Sequence, residues 1–334
     1  MKKLFKYFKS YIKETILAPL FKLLEALLEL FIPLVVASII DNGIGLSDKT
    51  YVIKMIIVMI SCGIVGLILS VLGQYFAAKT AVGFSTKLKL DLFKKIQELS
   101  FSDIDNLGTS SIITRMTSDV NQVQTGINLT LRLFLRSPFV VFGAAIMAYF
   151  IDPSISGIFF ISIAVLSVVV FGIMLLTMPL HRRVQENLDN VLSQTKENLS
   201  GVRVIRAFAR HENEKLRIEE ATENVSKAYI RVTNLSALMN PLTAFIMNMG
   251  IIALLHFGAI NVNTGTLTQG DIVVLINYIT QVLLALIVVA NLLVTFTKAS
   301  ASASRINEVL ECSVSIKDEI NIDEIKMKTL IKNK

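Results

Sequence analysis

Six apolar runs, each long enough to cross a bilayer, constrain this chain more than any other feature of its sequence. A spanning helix needs about 20 predominantly apolar residues. Runs of that kind cover residues 16–40, 52–78, 129–151, 155–180, 238–262 and 272–296. A soluble core could not absorb all six: 53% of the residues are hydrophobic and 18% charged, against about 45–50% and about 25% in globular domains. Backbone polar groups in lipid must be paired internally, so uncharged runs of this length read as helices. The predicted fold class is therefore an all-α membrane protein with six long spanning helices.

The runs are unevenly spaced, and the charges choose their sides. The short connections after the first, third and fifth runs carry few basic residues, Lys49 being one and Lys54 lying just inside the second run. The long connections, 79–128 and 181–237, carry Lys79, Lys87, Lys89, Lys94, Lys95 and Arg115, then Arg182, Arg183, Arg203, Arg206, Arg210, Lys215 and Arg217, among others. The positive-inside bias puts both long connections and both termini in the cytoplasm of a multi-pass protein of the cell membrane. Neither connection reads as a loop. Leu88, Leu92, Ile96 and Leu99 recur at helical spacing, as do Val184, Leu188, Val191 and Leu192. The spans are expected to run on as helices, about 30 Å beyond the bilayer for 20 residues. Each long connection is then a helical hairpin with a turn at its far tip.

Residues 1–13 alternate basic and aromatic or apolar groups, which suits a short amphipathic helix in the cytoplasmic interface; a plain basic flank of the first span is the alternative. No small-residue cleavage site follows, so no removable signal peptide is expected. Cys62 and Cys312 make neither a disulfide framework nor a metal pattern. The net charge of +7 sits mostly between apolar runs, which argues for membrane topology and against a nucleic-acid partner.

The first tip covers residues 99–120, where Asn106 and Gly108 are expected to break the helix and Thr109, Ser110 or Ser111 to cap the next. The second covers residues 197–214. Neither contains a catalytic set. Phe101, Gly108, Ile113, Arg115, Met116, Thr117, Ser118, Asp119 and Val120 form one pattern, and Glu197, Leu199, Gly201, Val202, Val204, Ile205, Arg206, Ala207, Phe208 and Glu212 a second. Residues 301–310 form a third after the last run; Gly270, Asp271 and Tyr278 open the sixth helix. With these motifs in order over roughly residues 1–312, the chain resembles the transmembrane domain of type I ATP-binding-cassette exporters.

That resemblance implies three parts: an interfacial elbow helix at 1–13, a six-helix domain at 14–312, and a polar tail at 313–334 leading toward a nucleotide-binding domain. It implies that the tips carry coupling helices that dock on nucleotide-binding domains. The first is at about 101–108, with Phe101, Asp103, Asn106 and Gly108. The second is at about 207–215, with Phe208, His211 and Glu212. Phe208 at a polar tip has the character of an interface anchor; packing within its own hairpin is the alternative. The family works as a dimer, here homo- or heteromeric, around one cavity. ATP and Mg are expected on the nucleotide-binding partner and no cofactor on this chain. A phosphate loop needs a Gly-Lys pair, and the sequence contains none. Leu199, Ser200 and Gly201 echo the start of the family's nucleotide signature, but Val202 follows, and the match is read as chance. The 334 residues are therefore expected to have no ATPase activity of their own.

Ionisable groups in spans are costly and are functional candidates by default. Lys22, Glu25 and Glu29 share one face of the first span. Either Lys22 snorkels to the interface and pairs with Glu25, or Glu25 and Glu29 face a substrate cavity. Asn248, Asn277 and Gln281 are weaker cavity candidates, with His256 and Asn291, and helix–helix hydrogen bonding serves them equally well. Pro33 and Pro241 are expected to kink or hinge their helices. An ion-coupled transporter would need charged relays in several spans, and a membrane scaffold or remnant of an exporter would need none.

Overall fold

The computed structural model describes residues 2–312; the polar tail expected at 313–334 lies outside the described residues. A 3₁₀ helix, Lys2–Tyr11, leads into α1 (Ile12–Ser38), which ends in a π turn, Ile39–Ile44. Then come α2 (Lys49–Glu98), the short α3 (Phe101–Leu107) and α4 (Thr109–Thr114), and a second π turn, Arg115–Asp119. The chain continues through α5 (Val120–Leu133), α6 (Arg136–Ile151), α7 (Pro153–Ala207), α8 (His211–Ala237), α9 (Met239–Asn263) and α10 (Gln269–Glu311). All six apolar runs lie on helical stretches long and apolar enough to cross a membrane. The spans do run on beyond their apolar parts: α2 has 50 residues and α7 has 55, about 75 and 83 Å of helix against a hydrocarbon layer of about 30 Å.

Proline sets two breaks that the apolar pattern does not show. A helical proline has no N–H and its ring clashes with the carbonyl four residues earlier. Pro138 thus disfavours continuity at Phe134, and the third run is split at Phe134 and Leu135, between α5 and α6. Pro241 acts the same way on Ala237, where α8 ends. The second hairpin's return helix therefore stops at Ala237.

Contacts group the described chain into two compact units. One comprises residues 2–25, 65–136 and 291–312. Its core stacks Phe84, Leu88 and Leu92 of α2 with Val120 and Val123 of α5 and Ala303, Ile306 and Val309 of α10. Ser85 donates to Gln124 at 2.6 Å and Lys89 to Asn121 at 3.4 Å, closing the first hairpin. The N-terminal helix turns its aromatic face onto α2: Tyr7 packs edge-on against Phe84 at 5.6 Å and its hydroxyl donates to Asp91 at 2.7 Å. Lys9 is exposed, and Lys6 reaches the same Asp91 carboxylate at 3.4 Å. The Tyr7 hydroxyl holds the Asp91 carboxyl below the usual carboxylate range. That contribution to stability is present at neutral pH and lost as pH falls through the lowered value.

The second unit comprises residues 26–64 and 137–290. Phe159 and Leu166 of α7, Leu254 of α9 and Leu275, Tyr278 and Ile279 of α10 form its centre. Its turns are capped by side chains. Asp152 accepts from the Ser154 and Ile155 amides at 2.6 and 3.3 Å, with Pro153 in the first turn of α7, and Asn261 donates to its other oxygen at 3.0 Å. Thr268 and Asp271 reciprocate as a capping box at the start of α10: the Asp271 amide reaches Thr268 Oγ1 at 3.1 Å and the Thr268 amide reaches Asp271 Oδ2 at 3.0 Å. The Gly270 amide donates to Asp41 at 2.9 Å. α7 and α8 form the second hairpin, bridged by Asn187 to the Asn224 carbonyl at 3.3 Å.

Candidate coupling tips and pathway residues

The first tip is built on a side-chain cap at Ser100. Ser100 is extended, at φ −70° and ψ 161°, and caps α3 in a reciprocal box with Asp103. The Asp103 amide reaches Ser100 Oγ at 3.2 Å, and the Ser100 amide reaches Asp103 Oδ2 at 3.2 Å. Asp103 is thus a structural residue of the tip. Ile104 and Leu107 turn inward against the first unit's core. Phe101, Asp105 and Asn106 turn outward, Phe101 with 89% of its surface exposed. Asn106 does not break the helix; it lies inside α3. The break is at Gly108, whose φ of 76° suits a residue without Cβ. Gly108 also occupies the capping position of α4, so Thr109, Ser110 and Ser111 make no side-chain cap there.

The second tip contains no separate short helix. α7 runs to Ala207, three residues turn, and α8 starts at His211. The turn closes with the Arg210 amide on the Ile205 carbonyl at 3.0 Å and the Ala209 amide on that of Arg206 at 3.2 Å. This double closure ends helices through a left-handed residue, usually glycine; here Ala209 takes φ 53°. Phe208 is 75% exposed, and His211 and Glu212 are exposed beside it. Just behind the turn lies a groove of about 360 Å³ between α7 and α8, lined by Leu199, Val202, Ile205 and Ile218, with His211 and Glu214 at its polar side. Glu214 also accepts from Asn198 at 3.2 Å.

A left-handed alanine stores backbone strain of roughly 1–2 kcal/mol, partly offset in a glycine variant by the freer unfolded chain. Ala209→Gly should stabilise the turn by about 0.5–1 kcal/mol. Hydrogen exchange of the amides at 205–211 should slow by about two- to fivefold. Unchanged or faster exchange would mean that the turn holds no such strain.

The polar groups of the spans are distributed differently from a single cavity lining. Lys22, 5% exposed, donates to Glu25 at 2.6 Å and to Ser70 at 3.0 Å, so the pairing alternative describes Glu25. Asn277 donates to the Val273 carbonyl of its own helix at 2.8 Å, and Asn248 and His256 are exposed. Gln281 donates at 3.4 Å to the Glu29 carbonyl. That carbonyl would bond the amide of residue 33 in an unbroken helix, but residue 33 is proline. Neighbouring side chains repair such freed carbonyls inside membranes, and Gln281 does so here. The sequence held both residues; only their pairing was invisible.

Residues 15–286 match the pattern of the ABC transporter transmembrane region. The chain belongs to this family. Among curated relatives it is 31% identical over 324 residues to the "Uncharacterized ABC transporter ATP-binding protein YfiB" of Bacillus subtilis, covering 97% of this chain and 56% of that protein. An uncharacterised ABC transporter ATP-binding protein of Mycobacterium tuberculosis is 28% identical over 312 residues, 93% of this chain and 53% of the relative. A Mycobacterium bovis protein named "Fatty acid ABC transporter ATP-binding/permease protein" is 26% identical over 225 residues, 67% of this chain and 36% of its own length. The chain spans about half the length of the first two. As an ABC transporter transmembrane region with six long apolar helices, it is a multi-pass membrane protein.

Proposed function

We propose that the chain is the permease part of an ABC exporter. It supplies a substrate pathway and the surfaces that receive force from nucleotide-binding domains. The observation that carries this reading is an exposed aromatic residue at each hairpin tip, Phe101 and Phe208, each held out by a closed local hydrogen-bond framework. Exposed aromatic anchors on ordered supports fit a partner's pocket. ATP and Mg are bound by the nucleotide-binding domain, whether it lies in a longer protein or on a separate chain. Two such membrane units, identical or related, enclose the pathway. The substrate is an amphipathic molecule; the fatty acid in one relative's name agrees with that class. Of the pathway candidates, Asn248, which is exposed, is the best placed for substrate contact; Glu25, Asn277 and Gln281 hold the hydrogen bonds described above. The ion-coupled alternative is weakened because, among the described residues, the one charged residue buried in a span, Lys22, has a carboxylate partner one helical turn away.

The reading requires both tips in the cytoplasm of a plasma-membrane protein, together with both termini. Single cysteines at Asn106, His211, Ser47 and Thr266, in a background lacking Cys62 and Cys312, report the sides. An impermeant thiol reagent on intact cells should label positions 47 and 266 only. Labelling at 106 or 211 before lysis would put the tips on the wrong side and end the proposal.

A further inference from the structure

Two of the sequence motifs, one after the first tip and one at the end of α10, meet in the first unit along a single antiparallel seam. At its inner end an added Cβ on Gly126 would fall on the Ala299 methyl, so the two helices approach at small residues. Toward the tip, Val120 and Val123 share a core with Ala303 and Ile306. Beyond them Arg305 grips Asp119 with two nitrogens, Nε at 2.9 Å from Oδ2 and Nη2 on Oδ1, and Nη2 also donates to Ser302 at 3.0 Å. Last comes Arg115, whose Nη2 donates to Glu308 at 3.0 Å. Arg115 and Asp119 are the two ends of the five-residue π turn, a form that often marks functional positions.

The order of signs matters more than the number of pairs. On one side the charges run plus at 115 and minus at 119. On the other they run minus at 308 and plus at 305. Sliding the helices by one turn, about 5 Å, brings Arg115 toward Arg305 in one direction and Asp119 toward Glu308 in the other. Each slip exchanges an attractive pair for a repulsive one. The side chain of Asp119 is only 5% exposed, and charge repulsion is screened least at buried positions. The Arg305 guanidinium holds the Asp119 carboxyl below its usual range and keeps it charged.

We propose that Arg115, Asp119, Arg305 and Glu308 are positioning residues that lock the register of α10 against the helix leaving the first tip. The alternating signs make this seam a rigid joint, so a displacement of the tip is delivered to the end of α10 without slippage. The mechanical consequence rests on the coupling role proposed above; the register lock itself does not.

The test uses the 334-residue chain in lipid nanodiscs, with spin labels on Thr114→Cys and Ala301→Cys in the background lacking Cys62 and Cys312. Both positions are exposed. The parent should give one inter-label distance. D119R/R305D keeps both pairs attractive but leaves each side with one sign, so either slip is now permitted. It should add a second population displaced along the seam by about one helical turn, roughly 5 Å. The fourfold exchange R115E/D119R/R305D/E308R restores alternation and should restore the single distance, although it carries more substitutions. Asp119→Asn, which removes one of the two repulsions, should show a smaller displaced population and serves if the reversals do not yield monodisperse protein. A purely stabilising role predicts one native distance in every variant that folds. A single native distance in D119R/R305D and in Asp119→Asn, or two distances in the fourfold variant, overturns the proposal. None of these measurements needs a nucleotide-binding domain, so a failure of the exporter reading leaves their outcome unaffected. Should the lock hold while a nucleotide-binding partner gives no substrate-stimulated ATPase even with the parent chain, it is the coupling reading that fails.

Discussion

Phe208→Ala is expected to abolish the stimulation of ATP hydrolysis by transported compounds while leaving expression, membrane insertion and basal hydrolysis intact. The measurement needs the chain assembled with a nucleotide-binding domain, fused after the end of α10 or supplied by a partner. Phe208 is 75% exposed and closes no core, so its loss costs the fold little. The Arg210 to Ile205 and Ala209 to Arg206 backbone bonds that form the turn do not involve its side chain. The cost falls on docking. Truncating an aromatic hot spot typically removes at least about 2 kcal/mol, roughly a 30-fold loss in the docking constant. Leu216→Ala, which removes another exposed apolar side chain from the same hairpin, should have a smaller effect because it lies outside the turn. Full substrate stimulation in Phe208→Ala would show that force passes elsewhere. Phe101, at 89% exposure on the first tip, would then be the residue to truncate next.

The spans were legible because bilayer thickness imposes one length and one composition on every crossing. All six apolar runs fall on helices. Their continuation past the bilayer was legible too, since Leu88 and Leu92 keep a helical period after the apolar run ends, and both are fully buried in the first unit. The interruptions were harder. Pro138 and Pro241 act four residues upstream of themselves, so the breaks fall at Phe134 and at Ala237, residues that give no turn signal of their own. Asn106 had the composition of a breaker, but Ser100 and Asp103 had already fixed α3 around it. The Ser100 box was readable from its three-residue spacing. The pairing of Gln281 with the Glu29 carbonyl was not, because it joins residues 252 apart. Polar residues in spans are ambiguous for that reason: the same amide can face a substrate or repair a neighbouring helix, and only the partner's position decides.

Gly270→Val is expected to be the most destabilising single substitution among the glycines of the spans' outer turns. Its motif neighbour Asp271 has a plain role, since it completes the capping box with Thr268 at the start of α10. Gly270 is needed for a different reason. A Cβ there would meet the Asp41 carboxylate, and would lie 2.7 Å from the Ala37 carbonyl oxygen and 2.8 Å from the Ala37 Cα. Two of those three contacts are backbone, and backbone cannot rotate away. The helices would have to separate, which also breaks the bond from the Gly270 amide to Asp41 at 2.9 Å. Overpacking costs typically about 1–3 kcal/mol, and losing a hydrogen bond to a charged group about 1.5–3 kcal/mol. Together they suffice to unfold a marginal membrane domain in detergent. Gly258 provides the graded comparison: a Cβ there meets the Ile272 side chain at 3.0 and 3.1 Å, and that side chain can shift. Gly66 provides the blank, with nothing within 4 Å. The expected order of monodisperse yield and melting temperature is Gly66→Ala, equal to the parent, then Gly258→Ala, then Gly270→Ala, with Gly270→Val lowest. Asp41→Ala removes the bond without adding volume and should fall between Gly258→Ala and Gly270→Val. Parent-like melting of Gly270→Val would mean that the start of α10 does not sit against Ala37, and would detach the Gly270 motif from its structural explanation.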